Sequence, residues 1–189
     1  MPNAYKPLSG VSSAVSDNLI EYLYDIACDM ESIVEIGSWH GRSAHAFLSA
    51  CKGTVWCVDH FQGSVAEGDA THNKNGKSEF LKNCGHFENL KLLEMYSDKA
   101  SEMFEDNSID MVFIDAGHLH DEVTSDLRCW FPKAKKLICG HDWQMNPVRQ
   151  AIHDFGIKPE HKFNEFWYVR KDQANVGEER EEGDLHVEH

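Results

Sequence analysis

The sequence predicts an α/β fold: a mostly parallel seven-stranded sheet, covered by helices on both faces and closed by an antiparallel hairpin. Three observations carry this. Short apolar runs alternate with helical segments along most of the chain, the pattern of a parallel sheet buried on both sides. A glycine-bearing turn joins the first apolar run to the helix after it. Near the end, two apolar runs are separated only by Asn164-Glu165, enough for a hairpin turn and too little for a crossover helix.

Residues 1–15 are turn-rich and read as an irregular arm. From Ser16, a suitable N-cap, the apolar positions Leu19, Ile20, Leu23, Ile26 and Ala27 recur at helical spacing. Ile33-Val34-Glu35-Ile36 reads as the first strand, and helical character resumes from Ser43 to Leu48. Thr54 to Val58 is the second strand and Leu90 to Leu93 the third, followed by a helix over roughly Asp98 to Phe104. Ile109 to Ile114 is the fourth strand and about Asp121 to Trp130 its helix. Leu137-Ile138-Cys139 is the fifth strand, and Pro147 opens a helix to about Phe155. Lys162-Phe163 and Phe166 to Val169 form the hairpin.

Two segments stand apart. Gln62 to Lys77, with Gly63, Gly68 and Gly76, fits no element and reads as a long loop, a lid over the acceptor site. Residues 172–189 have almost no apolar content and read as a disordered tail. The expected organisation is therefore an arm (1–15), one domain (16–171) and an acidic tail (172–189).

Composition narrows the function. The chain of 189 residues is 41% hydrophobic and 26% charged, ordinary for one globular domain. Its formal net charge is −14. In the tail, Asp172, Glu178, Glu179, Glu181, Glu182, Asp184 and Glu188 face only Arg180, and the body is acidic too. Such a surface repels a phosphate backbone, so no nucleic-acid partner is expected. No apolar stretch approaches the roughly 20 residues that span a bilayer, and the N-terminal run has no apolar signal region. The expectation is a cytoplasmic protein with no membrane partner. Cys28, Cys51, Cys57, Cys84, Cys129 and Cys139 form no C-x-x-C pair and read as reduced thiols. Nothing in the sequence sets the oligomeric state.

The strongest local signal is Val34-Glu35-Ile36-Gly37-Ser38-Trp39-His40-Gly41-Arg42-Ser43. Gly37 lets the chain turn sharply off the strand, and Gly41 allows a following helix to approach with its N–H groups facing a ligand. A nicotinamide-binding loop places a glycine where Trp39 stands, so that the pyrophosphate can touch the backbone. A bulky side chain there suits a ligand without a diphosphate. Glu35 attracts a cationic amine, and Asp59, ending the second strand, is placed to accept from two ribose hydroxyls.

Together, E-x-G-x-x-x-G after strand one, an acid after strand two and the terminal hairpin resemble the class I S-adenosylmethionine-dependent methyltransferases, over about residues 16–171. Phe113-Ile114-Asp115-Ala116-Gly117-His118 and Cys139-Gly140-His141-Asp142 are similar to a subgroup of short domains with F-I-D-x-x-H and G-H-D motifs, related to metal-dependent O-methyltransferases. The resemblance implies a Rossmann-like three-layer sandwich. It implies that Glu35, Gly37, Ser38, Trp39 and Gly41 surround the methionine moiety, and that Asp59 holds the ribose. It sets His60, Tyr96 and Ser97 near the adenine, with Asp115 also at the cofactor. Two positions depart from the pattern: Met95 stands where many relatives have glycine, and Lys135-Lys136 replaces a Gly-Gly turn before strand five.

Ligands of open α/β sheets bind beyond the carboxyl ends of the strands. Asp115 ends strand four and Asp142 follows strand five, with His118 and His141 close by. Asp115, His141 and Asp142 form a donor set that suits Mg²⁺ or Mn²⁺. Asp115, His118 and His141 are the catalytic candidates, either imidazole being able to take a proton near neutral pH. His120, His153 and His161 read as surface or helix-terminal residues. The expected partner is a small-molecule acceptor, a sugar or another metabolite, methylated on a hydroxyl. Two other functions fit a Rossmann-like sheet, an NAD-type oxidoreductase and a non-catalytic S-adenosylmethionine-binding domain. Trp39 weighs against the first, and the retained acids and histidines weigh against the second.

Overall fold

In the computed structural model, which describes residues 5–11, 13–63 and 75–171, helices and strands alternate as expected. The order is α1 (Asp17–Ala27), β1 (Ser32–Ile36), α2 (Arg42–Ala50), β2 (Thr54–Val58), α3 (Gly76–Cys84), β3 (Leu90–Leu93) and α4 (Ser97–Ser101). Then come β4 (Ile109–Ile114), α5 (His120–Trp130), β5 (Ala134–Gly140), α6 (Asn146–Asp154), β6 (Glu160–Lys162) and β7 (Phe166–Arg170). The seven strands form one sheet in the order β3-β2-β1-β4-β5-β7-β6. β1 to β5 pair in parallel, whereas β7 pairs antiparallel with both β5 and β6.

Side chains alternate across each strand, so the sheet feeds two cores. Ile33, Val55, Met111, Phe113 and Cys139 point to one face and pack under α1, α2 and α3. Val34, Ile36, Val112, Ile114 and Ile138 point to the other, under α4, α5 and α6. β4 is buried at every position, as a strand covered on both faces requires. Ser16 caps α1, its hydroxyl accepting from Leu19 N–H.

Four expectations are corrected. Gln62 to Lys77 is not wholly without structure, because α3 begins at Gly76 and anchors itself through Phe80 and Cys84, one turn apart. Residues 64–74 of that loop, and residues 172–189 of the expected tail, lie outside the described residues. Lys135-Lys136 is not a turn: it lies inside β5, where Lys136 Nζ binds Asp110 Oδ2 at 2.9 Å. The hairpin turn is Phe163-Asn164-Glu165, with φ of 55° and 61° at its first two residues. Phe163 therefore leaves the strand, and Glu160 and His161 join it. α4 ends at Ser101, short of Phe104.

The arm is irregular but docked. Tyr5 stacks on Tyr24 with centroids 4.5 Å apart, and its hydroxyl shares a hydrogen bond of 3.0 Å with His45 Nδ1. Val15 is buried, and its carbonyl accepts from Arg42.

Candidate active site

The strand register lines up the functional positions. Val58, Ile36, Ile114 and Gly140 are neighbours across β2, β1, β4 and β5, so the next residues emerge side by side at one edge. Backbone bonds continue the ladder past the strand ends: Gly37 N–H donates to Val58 O, Asp115 N–H to Ile36 O and His141 N–H to Ile114 O. Asp59, Gly37, Asp115 and His141 thus form a row along the carboxyl edge.

Gly37 (φ 84°) has room for no side chain, since a Cβ there would lie 2.2 Å from the Asp115 carbonyl oxygen. Gly41 (φ 84°) starts α2 with a Cβ position 2.6 Å from Cys84 Sγ. Between them the turn closes through Gly41 N–H to Ser38 O at 2.7 Å, and Trp39 takes a left-handed φ of 41°. Asp59 stabilises that turn. Its Oδ2 accepts from the N–H groups of Ser38 (3.0 Å) and Trp39 (2.8 Å), and its Oδ1 from Phe61 N–H (2.6 Å). The Trp39 ring stacks on His40, with centroids 4.1 Å apart.

Beneath the turn, Glu35 is fully buried on β1, and neither of its carboxyl oxygens has a well-formed hydrogen bond. Burial pushes its carboxyl up to about 7, against a partial offset from the nearby Ser38 and Ser43 hydroxyls. The Ser38 hydroxyl is likewise buried without a well-formed partner.

The residues expected near an adenine divide. His60 and Tyr96 face each other with ring centroids 4.6 Å apart, and Tyr96 is largely exposed. Ser97 is different. Its hydroxyl donates to Asp126 Oδ1 at 2.5 Å and accepts from Trp130 Nε1–H at 2.8 Å, which commits it to the contact between α4 and α5.

On the other side of Gly37 the acids and imidazoles gather. His118 Nε2 lies 2.9 Å from Asp142 Oδ2. His141 Nδ1 lies 3.1 Å from Asp142 Oδ1 and 3.3 Å from Asp115 Oδ1, and its Nε2 lies 3.2 Å from Glu165 Oε2. Asp142 takes a left-handed φ of 61°, and Gln144 donates to its Oδ1. Burial alone would lower the His141 imidazole, but hydrogen bonds and charges from Asp115 and Asp142 outweigh it and raise it to about 11. Burial opposes ionisation of Asp142 as well, and bonds from His118 and His141 outweigh it, holding the carboxyl well below the usual range. Burial raises Asp115, which the His141 contact partly offsets.

Of the three residues expected as metal ligands, Asp115 and Asp142 meet here together with His118. The donor atoms that converge within 4.8 Å of one another belong to Asp115, His118 and Asp142. His141 stands behind them, side chain almost fully buried and both nitrogens turned to carboxylates. A pocket of about 10 Å³, room for a single water, lies against Asp115, His118, Asp142, Gly117, Val148 and Trp167. Glu165 was not singled out from the sequence. It sits between two aromatic residues in a turn, and only the folded hairpin brings it to His141. His120 and His153 are surface residues sharing Asp154, and His161 stacks on Trp143.

This sheet order, the glycine turn and the row of acids along the carboxyl edge define a class I methyltransferase fold. Residues 34–143 match the model of the family described as "Methyltransferase domain", and the chain belongs to that family. Solved structures share the fold. One is a candidate caffeoyl-CoA O-methyltransferase from Staphylococcus aureus (TM-score 0.64, 17% identity, 84% of this chain and 85% of that one). Another is the O-methyltransferase TomG from Streptomyces achromogenes, involved in tomaymycin synthesis and solved with S-adenosylmethionine (TM-score 0.60, 13% identity, 82% and 80%). A third is an S-adenosylmethionine-dependent O-methyltransferase from Thermotoga maritima (TM-score 0.59, 10% identity, 86% and 68%). The chain is also 26% identical over 131 residues to the uncharacterized protein y4gI of Sinorhizobium fredii. That match takes in 66% of this chain and only 14% of the longer protein.

Proposed function

We propose that the chain transfers the methyl group of S-adenosylmethionine to a hydroxyl oxygen of a small molecule, a sugar or another metabolite, at the edge formed by Gly37, Asp115 and Asp142. The observation that carries this reading is the convergence of Asp115, His118 and Asp142 beside the glycine turn. The O-methyltransferases among the structural neighbours support oxygen as the acceptor atom.

The residues present fit the cofactor. The turn at Gly37 has no side chain to obstruct a ligand, and the buried Glu35 carboxyl without a well-formed hydrogen bond suits an ammonium group. A carboxylate has about four acceptor sites. Asp59 commits three of them to backbone N–H groups, which leaves capacity for a ribose hydroxyl. The His60–Tyr96 ring pair suits an adenine face.

Bound S-adenosylmethionine supplies a methyl group on a sulfonium, already a strong electrophile, so the chain must add alignment and a route for the acceptor's proton. Without an ion, His118 is the group placed to take that proton, oriented by the Asp142 carboxylate. The buried His141 ring, with Nδ1 against both carboxylates, fixes the facing oxygens of Asp115 and Asp142. Asp115, His118 and Asp142 offer two oxygens and a nitrogen, a set that suits Mg²⁺ or Mn²⁺, and such an ion would acidify and hold a hydroxyl. All six cysteines are unbridged and four are buried, which supports a reducing, cytoplasmic setting. Among the described residues no helix is long and apolar enough to cross a membrane.

The test is a panel of hydroxylated small molecules incubated with methyl-labelled S-adenosylmethionine, with and without EDTA. Label transfer to an oxygen that EDTA abolishes is the expected result. Transfer undiminished by EDTA would discard the metal and leave His118 as the base. Transfer to nitrogen alone would overturn the assignment of the acceptor.

A further inference from the structure

The C-terminal hairpin grips the active edge at a point beyond the matched segment 34–143. Glu165 occupies the turn between β6 and β7, and its side chain is only 14% exposed. One carboxylate oxygen faces His141 Nε2 at 3.2 Å, and the other accepts from the hydroxyl of Ser16, the N-cap of α1. The backbone is tied as well: Glu165 N–H donates to Lys162 O, and Glu165 O accepts from Trp143 N–H at 3.0 Å. Two residues further on, Trp167 Nε1–H donates to the His141 carbonyl at 3.1 Å. His141 is therefore held by the hairpin at its side chain and at its backbone.

From this geometry we propose that Glu165 is a positioning residue of the active centre, fixing the His141 imidazole so that Nδ1 faces Asp115 and Asp142. This rests on the reading of that edge as the active centre. The physical reason lies in the ring. A histidine ring has a broad, roughly two-fold preference about its outer torsion, so burial alone does not choose between the two flipped orientations. In the flipped ring a carbon replaces Nδ1 against the two aspartates, and a buried N–H is left without an acceptor. A hydrogen bond at Nε2 makes one orientation the better of the two. Only in the observed orientation does each ring nitrogen meet a carboxylate, Nε2 that of Glu165 and Nδ1 those of Asp115 and Asp142. The chain Ser16–Glu165–His141–Asp142–His118 thus connects the first helix cap to the converging donor set.

The experiment compares the wild-type protein with Glu165→Ala and Glu165→Gln in two readouts. The first is NMR of ¹⁵N-histidine-labelled protein without any ligand. Wild type is expected to show a protected His141 Nε2–H signal. Glu165→Ala loses the protection of Nε2–H, and Glu165→Gln, whose amide oxygen still accepts, restores it. The second is Mn²⁺ affinity, expected to fall at least about tenfold in Glu165→Ala and to return to within about threefold of wild type in Glu165→Gln. An unchanged Nε2–H in Glu165→Ala overturns the proposal, as does equal loss in both variants. Unchanged Mn²⁺ affinity in Glu165→Ala would likewise overturn it, provided wild type binds the ion. If Glu165→Ala does not fold, the wild-type spectrum decides, and an Nε2 without a protected hydrogen contradicts the bridged geometry. Wild type that binds no Mn²⁺ overturns the metal reading alone, because the ring signals are read without it.

Discussion

His118 Nε2 stands 2.9 Å from Asp142 Oδ2, joining the turn after β4 to the loop after β5. The two residues are 24 positions apart in sequence and meet because β4 and β5 end in register at Ile114 and Gly140. Asp142 serves His118 with one oxygen and His141 with the other.

Asp142→Asn removes one of these acceptors and the charge shared by both imidazoles. Mn²⁺ affinity should fall at least about tenfold, whereas S-adenosylhomocysteine affinity stays within about threefold. Paired calorimetric titrations check this, and equal losses for both ligands would mean that the substitution has collapsed the edge.

Gly37→Ala forces a Cβ to within 2.2 Å of the Asp115 carbonyl oxygen at a left-handed φ. β1 and β4 must part at the site to accommodate it. The expected destabilisation is about 2–4 kcal/mol, read as a lower urea midpoint with an unchanged slope. A stability equal to wild type would contradict the close approach.

Glu35 makes stability depend on pH in a set direction. Its carboxyl is raised from 4.5 to about 7 by burial, so the folded state binds more protons than the unfolded state between those values. Stability is full below about 4.5 and declines as pH rises to about 7, by roughly 3 kcal/mol for this group. Glu35→Gln should match wild type at pH 4 and exceed it at pH 8 in urea unfolding. Parallel pH profiles for the two proteins would show that Glu35 is not protonated in the fold.

Tyr5→Phe removes the hydroxyl that meets His45 and should cost about 1 kcal/mol. Tyr5→Ala also removes the stack on Tyr24 and should cost about 2–3 kcal/mol. Thermal melts at one protein concentration distinguish these values from the near-zero effect of an undocked arm.

The sheet was legible because buried strands such as Ile109 to Ile114 leave continuous apolar runs, and the hairpin because only Asn164-Glu165 separates Phe163 from the run at Phe166, although β6 itself is polar and exposed and its bounds were missed. α3 was not legible. It buries only Gly76, Phe80 and Cys84, and Lys77, Glu79 and Lys82 give it a loop-like composition. Lys135 and Lys136 hid the start of β5, since Lys136 reaches out to Asp110 where the register between β4 and β5 shifts. At the site, motif spacing identified Asp115, His118, His141 and Asp142 but could not rank the two histidines. That ranking depends on Glu165, a carboxylate from a distant turn that occupies the second nitrogen of His141. The partners of the Ser97 hydroxyl, Asp126 and Trp130, were equally hidden, because they lie on another helix.

The most direct measurement of the central claim is calorimetric titration of the ligand-free chain with S-adenosylhomocysteine and, separately, with NADH. Saturable one-to-one binding of S-adenosylhomocysteine is expected, weakened at least about tenfold by Asp59→Ala, with no heat from NADH. Binding of NADH in place of S-adenosylhomocysteine, or an affinity untouched by Asp59→Ala, would contradict the account.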